Sequence, residues 1–355
     1  MVMKGVRSPW DVRKVGVVDG IMRDYARVVE YCQTHDVSEH MMYQSERFLD
    51  GAWHIYQDYV IDRIPVDLTG KVVVDFGCKF GHLTPLLVAA NVTSIFNIDV
   101  VDEYLRFGEE VFGKMYPNVS FVKSDQGFIP LQPGTVHVVI MNEVISHISG
   151  SLLETLYMEI GRILNVGGLV FISDGNNLSY PGYFEQRLIP LYDLWENGPD
   201  GSKTDSDTVT KSYVTRRKET IQERYPDLEQ ERADYLARNT SGLFGDYLLK
   251  TIDRYVETGD LIRRPYRRRI CPTNPDQSGA VMERGFDPLE VDLALRRHGF
   301  EAFQIFPKPA MGGEGMINRA KDVYRLVRHY FARIVRPRRQ RGQSENFQIT
   351  GIKKY

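Results

Sequence analysis

The chain has 355 residues, 42% hydrophobic and 26% charged, an ordinary globular balance that excludes a disordered or fibrous protein. A net charge of −2 gives no basic field to recruit nucleic acid, and three scattered cysteines (Cys32, Cys78, Cys271) argue against a disulfide framework or structural zinc. The N-terminus lacks an apolar core of signal-peptide length and no run of about eighteen apolar residues occurs, so the cytoplasm is the expected location.

Residues 1–70 carry helical patterning, and Tyr43, Phe48, Trp53, Tyr56 and Tyr59 recur at spacings near three to five. That spacing predicts a helix packing an aromatic stripe on the core. The next stretch is the most informative. Residues 71–81 read Lys-Val-Val-Val-Asp-Phe-Gly-Cys-Lys-Phe-Gly, a β-branched run that ends at Asp75 and enters a turn at Gly77 and Gly81. This predicts a buried parallel strand, a tight glycine turn and a helix opening near His82. A dinucleotide fingerprint fails because Lys79 and His82 occupy its second and third glycine positions. A P-loop fails because Gly77 and Gly81 are one residue too close and no Lys-Ser/Thr pair follows. A carboxylate at the strand end repels a pyrophosphate and attracts a cationic amino group.

Four further strands are expected downstream, at Ser94–Asp99, Val119–Asp125, Val136–Glu143 and, after a Gly-Gly turn, up to Asp174. A helix over Asp287–Phe300 and alternating strands at Glu301–Phe306 and Asn346–Ile352 follow. Between them come two insertions, residues 175–285, which run through charged helix-like stretches, and residues 308–344. The second of these segments carries an apolar stripe (Val323, Val327, Tyr330, Phe331, Ile334) ringed by seven arginines. A basic amphipathic helix at 319–341 can lie peripherally on an anionic membrane, although a solvated face is the commoner use of such a charge run.

Asp75-x-Gly77-x-Lys79-x-Gly81 after a strand resembles the first motif of the class I S-adenosylmethionine-dependent methyltransferases, usually Asp-x-Gly-x-Gly-x-Gly. The strand-end acids Asp99 and Asp125 match the same family in order, and the resemblance covers residues 71–174 and resumes near 286. It implies an α/β fold: a Rossmann-like seven-stranded, mostly parallel sheet with an antiparallel last strand. The domains expected are a helical extension covering the cofactor (1–70), a cofactor-binding core (71–174), a helical insertion serving as acceptor lid (175–285), and the rest of the core with its basic insertion (286–355). The cofactor implied is S-adenosyl-L-methionine. The resemblance places Asp75 near its amino-acid moiety, Asp99 at the ribose and Asp125 at the adenine, with Gly77, Cys78, Lys79, Gly81, Val100, Gln126 and Asn142 also lining the site. Lys79 stands where the middle glycine is common. It is a harmless turn residue if its backbone angles are ordinary, or it reaches the cofactor's carboxylate.

Methyl transfer to oxygen needs a base just past the fourth strand. His147, whose ordinary pKa lies near working pH, is the leading candidate and Glu143 the runner-up. Asp174, Asn176 and Asn177, with Tyr180, Tyr183 and Arg187, begin the insertion at the crevice beyond the strand ends, and together with Tyr192, Trp195 and Glu196 farther along it they suit a hydroxylated acceptor. One acid and two amides are thin ligation, so no metal is expected. The expected function is methyl transfer to a hydroxyl of a polar small molecule or glycan, since the Asp-Gly-Asn-Asn segment with its long charged insertion resembles bacterial glycan and secondary-metabolite methyltransferases. Transfer to a small-molecule amine, a nucleic-acid methyltransferase and a non-catalytic cofactor-binding module are the alternatives. Nucleic acid is disfavoured as a partner because Asn142-Glu-Val-Ile stands where base-directed relatives carry Asn/Asp-Pro-Pro-Tyr.

Overall fold

The structure is a computed structural model that describes residues 15–125, 127–204, 208–276, 279–305 and 346–355. Gln126 and the basic segment 308–344, including the helix expected at 319–341, lie outside the described residues. The core strands are β1 (Val72–Phe76), β2 (Ser94–Asp99), β3 (Val119–Lys123), β4 (Val136–Asn142), β5 (Leu164–Asp174), β6 (Phe300–Ile305) and β7 (Phe347–Lys353). They form one sheet in the order β3-β2-β1-β4-β5-β7-β6. Strands β1 to β5 pair in parallel, and β7 runs antiparallel to both β5 and β6.

The period of two along each strand splits the core between the sheet's two faces. Val73, Ile95, Val138, Ile140, Leu169 and Phe171 pack with the N-terminal helices and with Leu86 and Leu87. Their chain neighbours Val74, Val139, Met141, Val170 and Ile172 pack on the opposite side, among Leu153, Ile160, Val291 and Leu295. Both faces are therefore apolar. Polar side chains are left the strand ends, which is where a ligand site can form.

The first face is covered by α1 (Val15–Thr34), α2 (Glu39–Arg47), α3 (Trp53–Tyr59), α4 (Thr84–Ala89) and α5 (Asp102–Gly108). The aromatic stripe is broken, because Gly51 turns the chain with φ +107° between α2 and α3. Phe48 and Trp53 are consequently core residues, and the Trp53 indole donates to Met22 Sδ at 3.2 Å. Tyr43 is 57% exposed. Tyr25 OH donates to the His82 carbonyl at 2.7 Å, and Gln348 Nε2 of β7 to the Tyr59 carbonyl, so both ends of this cover are fastened beside the strand ends.

The second face is covered by α6 (Gly150–Ile163) and α11 (Pro288–Arg297). Here the Gly-Gly pair departs from the expected turn. α6 passes into β5 at Leu164 without a loop, and Gly167, at φ +79°, takes up a bulge within β5. The pairing with β4 skips there, from Val136–Leu164 to Val138–Leu169.

The insertion carries α7 (Ile189–Asn197), α8 (Tyr213–Arg224), α9 (Gln230–Arg238) and α10 (Gly245–Thr258). The last three have a core of their own, with Ile221, Leu236, Leu248 and Ile252 all at 0% exposure. Tyr192, Trp195 and Glu196, which the sequence suggested for a polar acceptor, are buried inside the insertion. Glu196 pairs with Arg217, both side chains fully buried, and Arg217 Nε donates to the Ala237 carbonyl at 2.8 Å. Removing one member leaves an uncompensated buried charge, so Arg217→Ala is expected to destabilise the protein by about 3–5 kcal/mol in urea unfolding. Replacing both partners with apolar residues of similar volume should recover most of that loss.

Candidate active site

Strand order reverses between β1 and β4, and the polar residues converge on the C-terminal ends of the strands flanking that seam. Asp75 sits on β1, buried between Asn97 of β2 and Ile140 of β4 in the register. One of its oxygens, Oδ2, has no hydrogen-bond partner in the protein. Burial and the nearby Asp99 push its pKa up to about 7.

The turn after β1 uses its amides internally. Gly77 and Cys78 N–H both donate to the Ile98 carbonyl, at 2.7 and 3.1 Å. Lys79 N–H donates to Asp99 Oδ2 at 2.8 Å, and Gly81 N–H to the Cys78 carbonyl at 2.9 Å. Both glycines are required. At Gly77 (φ +74°) a Cβ would lie 2.4 Å from Val144, and at Gly81 (φ +85°) 2.8 Å from the Phe121 ring. Cys78 is fully buried and burial raises its thiol pKa, which suits a small filler. Lys79 does not have ordinary backbone angles. Its φ is +52°, the left-handed region that glycine favours.

Asp99 accepts three amides: Lys79 on one oxygen, Val100 (2.8 Å) and Val101 (3.0 Å) on the other. A carboxylate has about four acceptor sites, so one remains. Beside it Val100 is 51% exposed. Ser124 N–H reaches the Asp99 carbonyl at 2.9 Å, which brings the loop after β3, with exposed Asp125 and Phe128, to the same rim.

The opposite side of the seam is built from the exits of β4 and β5. Strand β4 ends at Asn142, half-buried and paired with Ser173, because Glu143 turns left-handed at φ +55°. Glu143 N–H donates to the Ser173 carbonyl at 2.8 Å, and its Oε2 accepts Gly175 N–H at 3.0 Å. The side chain meets solvent and is nevertheless ringed by protein, as on the floor of a cleft. That enclosure and the carboxylates of Asp174 and Glu283 hold its pKa well above the usual range. Tyr56 of α3 shares the cleft. Its ring packs on His82 at 5.2 Å, and burial together with Glu143 raises its pKa.

Glu283, for which the sequence offered no motif, belongs to the returning end of the insertion. Residues 281–286 thread between the two strand exits: Val281 N–H donates to the His147 carbonyl (3.2 Å), Arg284 N–H to Ser146 (2.7 Å) and Phe286 N–H to Asn176 (2.8 Å). This places Glu283, left-handed at φ +57°, with Oε1 3.8 Å from His147 Nε2. His147 follows β4 in a short helical turn, and its imidazole is 42% exposed.

Asp174, Asn176 and Asn177 are directed into the protein. All three are buried. Asp174 accepts Ser146 N–H (3.1 Å) and Asn176 N–H (3.2 Å), and burial raises its pKa to about 6. The Asn176 amide donates to Glu283 and accepts from Tyr183 OH, while Asn177 accepts Ser179 N–H in its own turn. Tyr183 is buried, Tyr180 packs edge-on against it, and Arg187 is exposed. Asp174, Asn176 and Tyr183 fasten the His147–Glu283 pair, while Glu143 and His147 are open to the cleft. Among the described residues no group of three His, Cys, Asp or Glu side chains is arranged to hold a metal. Of the other histidines, His137 accepts Val72 N–H at 3.1 Å and joins two strands. His82 is enclosed by aromatic rings, and enclosure lowers its pKa to about 3.

A family model described as a methyltransferase domain matches residues 73–168. The chain carries a class I S-adenosylmethionine-dependent methyltransferase domain. A curated relative, phosphoethanolamine N-methyltransferase 1 of Triticum aestivum, is 26% identical over 107 residues, which cover 30% of this chain and 21% of that protein. The chain thus aligns with about a fifth of that relative's length. Among solved structures, the Haloferax volcanii protein in complex with the Trm112 methyltransferase activator aligns over 90% of this chain and 100% of its own, with 13% identity and a TM-score of 0.46. Phosphoethanolamine N-methyltransferase 2 of Haemonchus contortus, bound to S-adenosyl-L-methionine, aligns over 85% and 53%, with 12% identity and a TM-score of 0.42.

The residues of the methyltransferase domain fit its methyl donor. The unpartnered Asp75 oxygen suits an ammonium, the remaining acceptor site on Asp99 a ribose hydroxyl, and the exposed face of Val100 an adenine ring. The fit has a consequence for stability. A buried carboxyl whose folded pKa is raised leaves the folded state most stable where the group is protonated. Stability is lost as pH rises from about 4 through about 7, by up to about 4 kcal/mol. Asp75→Asn is therefore expected to raise the unfolding free energy at pH 8, and to change it little at pH 4, in urea titrations of the cofactor-free protein. Calorimetry should show its affinity for S-adenosylmethionine falling at least tenfold.

Proposed function

We propose that the methyltransferase acts on the nitrogen of a small amine. The observation that carries this reading is the set of carboxylates at the acceptor side of the seam: Glu143 open to the cleft, Glu283 behind His147, and Asp174 beneath both. Such a set attracts a cationic acceptor and receives the proton an ammonium must shed before its nitrogen can attack. The T. aestivum relative, named as a phosphoethanolamine N-methyltransferase, supports a nitrogen acceptor in kind.

When bound, S-adenosylmethionine supplies an electrophilic methyl group on a sulfonium. The protein's part is mainly geometric. Asp75, Asp99 and the turn around Gly77 fix the donor, while Glu143, Asn142 and the 145–147 turn fix the acceptor, and such positioning can supply ~7–11 kcal/mol of the barrier. His147 or Glu143 takes the acceptor's proton, worth ~10²–10⁴-fold in rate. Asp174 and Asn176 act as positioning residues, holding Ser146 and Glu283 in place.

A hydroxyl acceptor is the second reading. His147 favours it, because an imidazole beside Glu283 is a suitable base for an alcohol. Incubation with methyl-labelled S-adenosylmethionine and parallel panels of small amines and polyols discriminates the two, with mass spectrometry locating the methyl. Label on amines is the expected result; label confined to alcohols would sink the amine reading. His147→Ala should lower kcat by about 10²-fold or more if the imidazole is the base. A fall of less than tenfold, with a large loss in Glu143→Gln, assigns the role to Glu143.

A further inference from the structure

We propose that Lys79 is the residue that reads the carboxylate of the cofactor's amino-acid moiety. The inference rests on the reading that this cleft binds S-adenosylmethionine. That moiety is a zwitterion, and the protein around it is lopsided. Asp75, Asp99 and Glu143 place three carboxyl groups at the ends of β1, β2 and β4. His82, beneath the turn, is held neutral by its enclosure. A cofactor carboxylate entering here meets only acids and a neutral imidazole among these groups, and needs a cation.

Four of the turn's amides are already engaged. Those of Gly77, Cys78, Lys79 and Gly81 already donate to Ile98, Asp99 and Cys78. The Lys79 side chain is exposed, and its ammonium is felt by both Asp99 and Glu143, the acids on either side of the seam, and by His82 below. Lys79 lies three residues past the end of β1, in a turn tied to the end of β2 by its own N–H on Asp99, so its side chain springs from the C-terminal edge of these two strands. Asp75, with its unpartnered oxygen, marks the ammonium half of the same zwitterion.

The backbone argues the same way. Lys79 occupies a left-handed conformation between two left-handed glycines, and a glycine at this position would hold it without a Cβ penalty. A strained non-glycine residue persists where its side chain is used.

The test compares binding of S-adenosylmethionine and of decarboxylated S-adenosylmethionine, which lacks the carboxylate, to the full-length protein by calorimetry. Lys79→Gly is expected to weaken S-adenosylmethionine about tenfold or more while changing decarboxylated ligand less than twofold, and Lys79→Arg to retain most of the wild-type preference. The Tm of the cofactor-free Lys79→Gly protein should not fall, since the turn is relieved of strain; this separates a lost contact from a damaged fold. Equal losses for both ligands, or no loss for either, would overturn the assignment and leave the methyltransferase reading intact. Wild-type protein that binds neither ligand would overturn both.

Discussion

A carboxylate buried at the end of the central strand, with one oxygen left unpartnered, is the constraint on which the rest of the site depends. The sheet is apolar on both faces, so the ends of its strands are where polar chemistry can be concentrated. Asp75 occupies an enclosed end at 2% exposure, and its neighbour Asp99 raises the free energy of its ionised form further. Asp99 is held in place by three amides, one of them from Lys79. The glycine turn and the acid at the end of β2 therefore form one unit. Neither could shift without releasing the other.

Strain is concentrated at the same seam. Four non-glycine residues have a left-handed φ among the described residues, and three of them, Lys79, Glu143 and Glu283, belong to the site. Each such residue costs about 1–3 kcal/mol, which the surrounding hydrogen bonds offset. At Glu143 the offsetting bonds are its own N–H to Ser173 and its carboxylate to Gly175. At Glu283 they come from the backbone pairing of residues 281–286 with the β4 and β5 exits. The insertion thus serves two purposes. Its three-helix core is tied to α7 by the buried Glu196–Arg217 pair, while its returning end delivers a carboxylate to His147.

The strands and their order of appearance were legible because runs such as Val72–Val74 and Val136–Met141 are apolar on both sides, a pattern that little besides a buried parallel strand satisfies. The glycine motif was legible because Gly77 and Gly81 answer to a local backbone demand, a left-handed φ at both positions of the turn. The Gly167–Gly168 pair was misread as a turn, since a bulge and a turn demand the same conformational freedom. Tyr192, Trp195 and Glu196 looked like acceptor contacts, and the distinction from an insertion core depends on partners such as Arg217 that lie far along the chain. In the aromatic stripe, spacing does not say which ring reaches the site. Gly51 breaks the stripe, so that Phe48 and Trp53 are buried in the core and Tyr56 packs on His82 beside the strand ends.

By itself the sequence determined the sheet, the acid-glycine turn and the cofactor that this turn suits, because each follows from local periodicity and from the backbone angles that particular residues allow. Tertiary structure alone decided what the polar residues do. It made Asp174 and Asn176 supports rather than contacts, brought Glu283 to His147 from the far end of an insertion, and set Lys79 in a strained turn above three acids. Charge and hydrogen bonding act through space. Which groups meet depends on chain crossings that no local pattern encodes.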